Sequence, residues 1–178
     1  QQIAEENVFD NLVKDAISKV LYTGDGAFKI SIDTDISQLP IIEFFEADRI
    51  KVIRKRGRIT EIVFKTVYTH NTSTFILHEI YGKGYIRYEL KNAFDKVVEL
   101  DSVPALAGLQ NIEWDGDFML AEYISFYSSD KFEGRGQSVF DAKRDNFDAL
   151  DEAWSQWIDA LRAGRTQKYI PENLIPRN

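Results

Sequence analysis

Between Phe28 and Leu90 the chain alternates strand-like stretches with short turn signals, and the sequential hairpins this implies over 50–90 predict an antiparallel meander. Phe28, Ile30 and Ile32 alternate with Lys29, Ser31 and Asp33, the period of two that sends one face of a strand to the core and the other to water. Further β-rich stretches cover residues 41–45, 50–54, 59–68, 74–81 and 85–90. Arg56-Gly57, His70-Asn71-Thr72-Ser73 and Gly82-Lys83-Gly84 separate the last four, and signals this short join neighbours as hairpins.

Helical spacing brackets this region. Phe9, Leu12, Val13, Ala16, Ile17, Val20 and Leu21 recur at three and four, so residues 5–22 predict one amphipathic helix. Thr23-Gly24-Asp25-Gly26 follows as a turn. Residues 91–117 carry no clear period, with Pro104, Gly108 and Gly116 among short apolar pieces and one short helix expected near 105–109. A further strand is predicted over 123–127, then a polar loop through Gly134 and Gly136. Ser138-Val139-Phe140-Asp141 resembles a capping box. Beyond it Phe140, Phe147, Leu150, Trp154, Trp157 and Leu161 are spaced like a heptad stripe, until Arg162 and Gly164 supply a stop. A helix of about 26 residues would be roughly 39 Å long.

The expected fold is therefore α+β and a single domain over 1–178: an N-terminal helix over 1–23, an antiparallel-rich mixed sheet of about six or seven strands centred on 27–90, an irregular acidic connection over 91–120, a strand and loop over 121–137, a long C-terminal helix over 138–164 and an extended tail over 165–178.

Composition narrows the functional classes. Lys plus Arg is 22 against 29 for Asp plus Glu, a net charge of −7, which argues against a mainly electrostatic clamp on nucleic acid. A local basic patch remains, because Arg49, Lys51, Arg54, Lys55, Arg56 and Arg58 place six cations in ten residues around a predicted turn. Arg54, Lys55, Arg56 and Arg58 are the candidate partner or phosphate surface. The plainer reading is a charged edge that discourages strand-to-strand aggregation. With no cysteine there is no disulfide framework, thiolate nucleophile or Cys-ligated metal. No stretch approaches about 18 apolar residues, and Gln1-Gln2-Ile3-Ala4-Glu5-Glu6 lacks the basic and apolar parts of a secretory signal, so neither a membrane span nor export is expected. The first residue is not Met and the last four are Ile175-Pro176-Arg177-Asn178, which predicts a segment of something longer.

Candidate chemistry is sparse. Gly24-Asp25-Gly26 follows a helix and precedes a strand, the reverse of a phosphate loop, and reads as a turn. Gly134-Arg135-Gly136-Gln137-Ser138 stands at a predicted helix start but lacks the Gly-Lys-Ser/Thr ending of a nucleotide loop, so a flexible lead into a cap is the simpler account. Glu113, Asp115 and Asp117 could offer oxygens to a hard cation, although their spacing does not complete an EF-hand and a solvated acidic loop is favoured. His70 and His78 fall in a predicted turn and the following strand, in no zinc or triad pattern. No cofactor motif is present. Trp154 and Trp157 are read as core or subunit-contact residues.

Two stretches together resemble the portal proteins of tailed bacteriophages, in the branch found among phages of Gram-positive bacteria. One runs from the first helix through Gly24-Asp25-Gly26-Ala27-Phe28-Lys29-Ile30-Ser31-Ile32-Asp33, Pro40-Ile41-Ile42-Glu43-Phe44 and Ala47-Asp48-Arg49 to Arg56-Gly57-Arg58-Ile59-Thr60-Glu61-Ile62-Val63-Phe64-Lys65. The other runs from Ser125 through Gly134-Arg135-Gly136-Gln137-Ser138 to Leu150-Asp151-Glu152-Ala153-Trp154-Ser155-Gln156-Trp157. The resemblance implies a subunit of a closed ring of about twelve copies, the kind of assembly that heterologous contacts generate. Such a ring sits at one capsid vertex of the virion after assembly in the host cytoplasm. A terminase motor pumps DNA through it, and head-completion proteins attach to it. Of such a protein, more than twice as long, this chain resembles the wing. The resemblance implies no reaction and no cofactor, only transient non-specific contact with double-stranded DNA, and neighbour contacts on the long helix at Trp154, Trp157, Arg162 and Arg165. Two other readings stand beside it: a metal-dependent nucleic-acid-processing enzyme using Glu113, Asp115 and Asp117, and another capsid or adaptor module that binds proteins only.

Overall fold

The structure, a computed structural model, describes residues 1–34 and 36–165, with the backbone alone for Ala142 and Arg165. The tail expected over 165–178 and the Arg165 side chain lie outside the described residues, apart from the helical backbone of Arg165. The fold is α+β, with N-terminal helices, antiparallel sheets and a C-terminal helix. Where one domain is expected, the chain divides into two compact units, Gln1–Val139 and Phe140–Asn178.

In the first unit the N-terminal helix is broken in two, α1 (Gln2–Glu6) and α2 (Phe9–Thr23). Val8 sits in the left-handed region at φ 45°. Asn7 accounts for the break: its side-chain amide donates to the Pro40 carbonyl at 2.9 Å and its oxygen accepts from the Ile42 N–H at 2.7 Å. Two bonds to the neighbouring strand offset one strained residue, a tertiary demand that helical periodicity cannot reveal. Ala16 and Val20 are the buried positions of α2, and Gly24 (φ 101°) closes it with an N–H to the Val20 carbonyl at 2.8 Å.

Among the described residues the strands form two sheets rather than one, and every pairing is antiparallel where a mixed sheet is expected. β1 (Asp25–Ser31) lies between β2 (Ile41–Glu46) and β9 (Ala121–Ser125). Asp25 and Gly26 thus belong to a strand, and only Gly24 of that triplet turns the chain. The second sheet runs in sequence order through β3 (Ile50–Lys55), β4 (Arg58–His70), β5 (Ser73–Gly82), β6 (Tyr85–Asn92) and β7 (Val97–Val98), while β8 (Ile112–Glu113) also pairs with β6. β3 to β6 are the expected meander. A 3-10 turn at Ala47–Arg49 carries the chain from one sheet to the other.

Two of the three tight turns carry positive φ at both central residues, the pattern of a type I′ hairpin: Arg56 and Gly57 at 52° and 77°, Asn71 and Thr72 at 48° and 66°. Thr72 is the misfit, since a β-branched residue tolerates this region badly. Thr72→Gly is expected to raise stability by about 1 kcal/mol, seen as a higher urea midpoint with an unchanged slope. An unchanged or lower midpoint would show that the bond from Thr72 Oγ1 to the Asn71 carbonyl offsets the strain.

One core is shared by the two sheets: Ala27 and Phe45 from the first, Ile50, Ile62, Phe64, Tyr81 and Ile86 from the second. Phe64 meets Phe45 and Tyr81 edge-on, each at 5.1 Å between ring centres. A second cluster joins Leu77 and Leu90 to Val103 and Leu106. The acidic connection therefore has a buried anchor, and the short helix expected near 105–109 is a 3-10 turn at Pro104–Leu106.

In the second unit a 3-10 turn at Asp141–Lys143 leads into α3 (Arg144–Arg165), 22 residues or roughly 33 Å. The helix starts at 144 and not at 138. Ser138 and Val139 are held by the end of α2: the Val139 N–H and the Ser138 hydroxyl both donate to the Leu21 carbonyl, at 3.0 and 3.4 Å. Gly164 lies inside the helix, whose backbone continues to Arg165. Among the described residues no helix is long and apolar enough to cross a membrane.

Candidate functional site

The two glycine-flanked segments, 110 residues apart, close on each other. Asp25 opens β1 and is only 1% exposed. Arg135 grips it with both arms of the guanidinium, Nε to Oδ2 and Nη2 to Oδ1, each at 2.7 Å. The Tyr123 hydroxyl and the Gly136 N–H, both at 2.8 Å, also donate to Oδ2. Arg135 further donates to the Ala47 carbonyl at 2.7 Å, in the turn between the sheets. One ion pair thus ties the first strand, the inter-sheet turn, the last strand and the loop after it. Burial pushes the Asp25 carboxyl up, but the four donated hydrogen bonds outweigh it and hold the group below the usual carboxylate range. Burial, then the bond to Asp25, pushes the Tyr123 phenol up to about 12.

The closeness of this junction requires both glycines. A Cβ on Gly136 would lie 2.1 Å from the Gly24 carbonyl oxygen, and one on Gly24 would lie 2.8 Å from that of Gly136. Because each clash is with backbone, Gly136→Ala is expected to cost about 3 kcal/mol or more, read from a denaturant midpoint. A cost under about 1 kcal/mol would mean that the loop can back away at little expense.

Beside the ion pair lies a cleft of about 530 Å³, lined by Arg54, Arg56, Tyr123, Ser125, Ser128, Ser129, Glu133 and Arg135 with Gly57 and Gly134. Of the four predicted cations, Arg54 and Arg56 face this space. Lys55 and Arg58 are exposed and paired across the base of the same turn, outside the lining. Arg54 is positioned by its neighbours: Nε donates to the Gly134 carbonyl at 3.2 Å, Nη1 to that of Gly57 at 3.4 Å, and the guanidinium lies 5.3 Å from the Tyr123 ring centre.

The remaining candidates are scattered. Glu113, Asp115 and Asp117 are all exposed; Glu113 is in the β6–β8 ladder and Asp117 pairs with Lys83 at 3.0 Å. No group of three potential metal-ligating side chains is gathered among the described residues. His70 ends β4 and His78 lies in β5, where burial and then Lys91 and Lys65 hold its imidazole below the usual value. On α3, Phe147, Leu150, Trp154, Trp157 and Leu161 are each between 48% and 60% exposed. Trp154 and Trp157 touch each other at 5.1 Å between ring centres, and Arg162 is paired with Asp159 at 3.4 Å.

Sequence reasoning places Arg54 and Arg56 but misses the Asp25–Arg135 pair, reading the first as part of a turn and the second as part of a helix lead. The available signal is that each charge is flanked by glycines, which permit close backbone approach. Searched against protein-family models the chain matches none, and no curated protein matches it.

Proposed function

We propose that this chain works by shape: it is the wing of a portal-type ring subunit, part of the conduit through which a phage genome is packaged and ejected, and it catalyses no reaction of its own. The observation that carries the reading is the face of α3. A soluble helix that leaves two tryptophans, a phenylalanine and two leucines about half exposed at heptad-like spacing has an apolar surface in want of a partner. A neighbouring copy in a closed ring supplies one. The class of ring rests on the resemblance, whose two stretches, the Gly24–Ala27 strand start and the Gly134–Ser138 loop, form one buried junction. On this reading the protein belongs to the capsid vertex, with terminase and head-completion proteins as its other partners and DNA passing without being held.

The test uses the longer protein. Mass measurement and negative-stain imaging are expected to give annular particles with a central hole, and a protein that stays monomeric at every concentration overturns the reading. Replacing Trp154 and Trp157 together by alanine is expected to weaken self-association by about 2 kcal/mol or more. Intact rings in that variant would remove α3 from the contact. A second reading, a capsid or adaptor module that binds other proteins, draws on the same helix face, and it is the one left if no ring forms.

A further inference from the structure

We propose that the cleft between the Arg56-Gly57 turn and the loop over residues 125–135 binds a phosphate oxyanion, either free phosphate or one carried on a nucleic-acid backbone. The proposal stands on the geometry of the cleft and is independent of the ring reading. Arg54 is already immobilised by two carbonyls and an aromatic face, so little of its side-chain freedom is lost when its remaining Nη2 donors meet a ligand. Its stem fits against Gly134, where a Cβ would come within 2.9 Å of Arg54 Cδ and Nε. Arg56, exposed at the tip of the turn, lines the same space and has no partner among the described residues.

Hydroxyls complete the donor set. Ser129 Oγ accepts from the Lys131 and Phe132 N–H groups at 3.2 and 3.1 Å, which leaves its proton to donate elsewhere. Ser128 stands next to it, in a backbone bridge with Gly136 that fixes the loop. Two guanidinium forks and two hydroxyls offer more donors than the two oxygens of a carboxylate accept, and they suit the three or four oxygens of a phosphate group. Asp25 consumes the charge of Arg135, so the local balance is set by Arg54 and Arg56 against Glu133. In a chain of net charge −7 this leaves a small positive site whose strength Glu133 limits.

The experiment is a titration of the intact chain, followed by NMR at the arginine Nε–H groups and the amides of Ser128, Ser129 and Gly134. The probes are inorganic phosphate, a short DNA duplex and a glutamate peptide. Saturating shifts at Arg54 and Arg56 are expected with millimolar phosphate. Arg56→Ala, on an exposed turn with no contact to lose, is expected to weaken binding about tenfold, the loss of one charge-assisted bond. Glu133→Gln is expected to tighten it several-fold, and Lys96→Ala, an exposed cation elsewhere, to leave it unchanged. A duplex that moves the same signals, with strong salt dependence, identifies a backbone phosphate as the source. If phosphate alone moves them, the ligand is a free anion. The proposal is overturned if neither moves them, if the glutamate peptide binds as well as phosphate, or if binding survives Arg54→Lys combined with Arg56→Ala.

Discussion

Arg135→Ala is expected to cost about 3–5 kcal/mol of folding free energy, because it removes one partner of a buried ion pair and leaves the other uncompensated. Asp25 is 1% exposed in the folded chain, and the two donors that stay, Tyr123 and Gly136, carry no charge. By contrast the Arg162–Asp159 pair on α3 is about three-quarters exposed on both sides, and Arg162→Ala should change stability by less than about 0.5 kcal/mol. The ion pair also shapes the dependence of stability on pH. The Asp25 carboxyl is lowered in the folded state, so its contribution is fully present above the unfolded value of about 3.9 and is lost as pH falls through the folded one. The Tyr123 phenol is raised, so its contribution is present below the unfolded value of about 10 and is lost as pH climbs toward the folded value of about 12. Urea midpoints across the pH range should show a plateau between these limits with a fall on either side. In Asp25→Asn the contribution of this group to the acid fall should vanish. An Arg135→Ala chain that loses under about 1 kcal/mol and keeps the wild-type acid limb would show that the junction is held by something other than this pair.

What could be read beforehand and what could not divide along sequence distance. The meander β3 to β6 was legible because its hairpins are local: each turn dipeptide and each alternating run can be judged within about a dozen residues. The return of β9 to β1 was not, since nothing in Ala121–Ser125 says which strand edge it will join. Without that pairing the separation into two sheets was invisible too. The helix errors have the same origin. Asn7 breaks the N-terminal helix for bonds to residues 40 and 42, so a distant partner overrules a sound local signal, and Ser138 likewise bonds to Leu21, far away in sequence. For the candidate site, charge density points to Arg54 and Arg56, but a charge run has no depth, and Lys55 and Arg58 in the same run lie outside the lining of the cleft. The Asp25–Arg135 pair needed knowledge that two glycine-rich bends touch.

A second buried pair carries the other large effect. Lys29, in β1, is 6% exposed and places its ammonium 2.6 Å from Glu79 in β5 of the other sheet and 3.3 Å from Glu43 in β2. It also lies 4.8 Å from the centre of the Phe45 ring. Lys29→Met keeps the length of the side chain and removes the charge, leaving the Glu79 carboxylate, 8% exposed, without its cation. The expected cost is again about 3–5 kcal/mol, against at most about 1 kcal/mol for breaking the half-exposed Lys19–Glu46 pair. Adding Glu79→Leu should recover most of that loss, because a buried pair exchanged for apolar groups of similar size is often neutral. The question is then what the ions are for. An apolar contact between the two sheets is tolerant of sliding, whereas Lys29 can meet Glu79 in only one alignment of β1 over β5. If alignment is the role, the double variant should unfold near the wild-type midpoint yet show broadened amide signals in β1 and β5. Sharp, wild-type signals in that variant would mean that the shared core of Phe45, Phe64 and Tyr81 sets the alignment unaided.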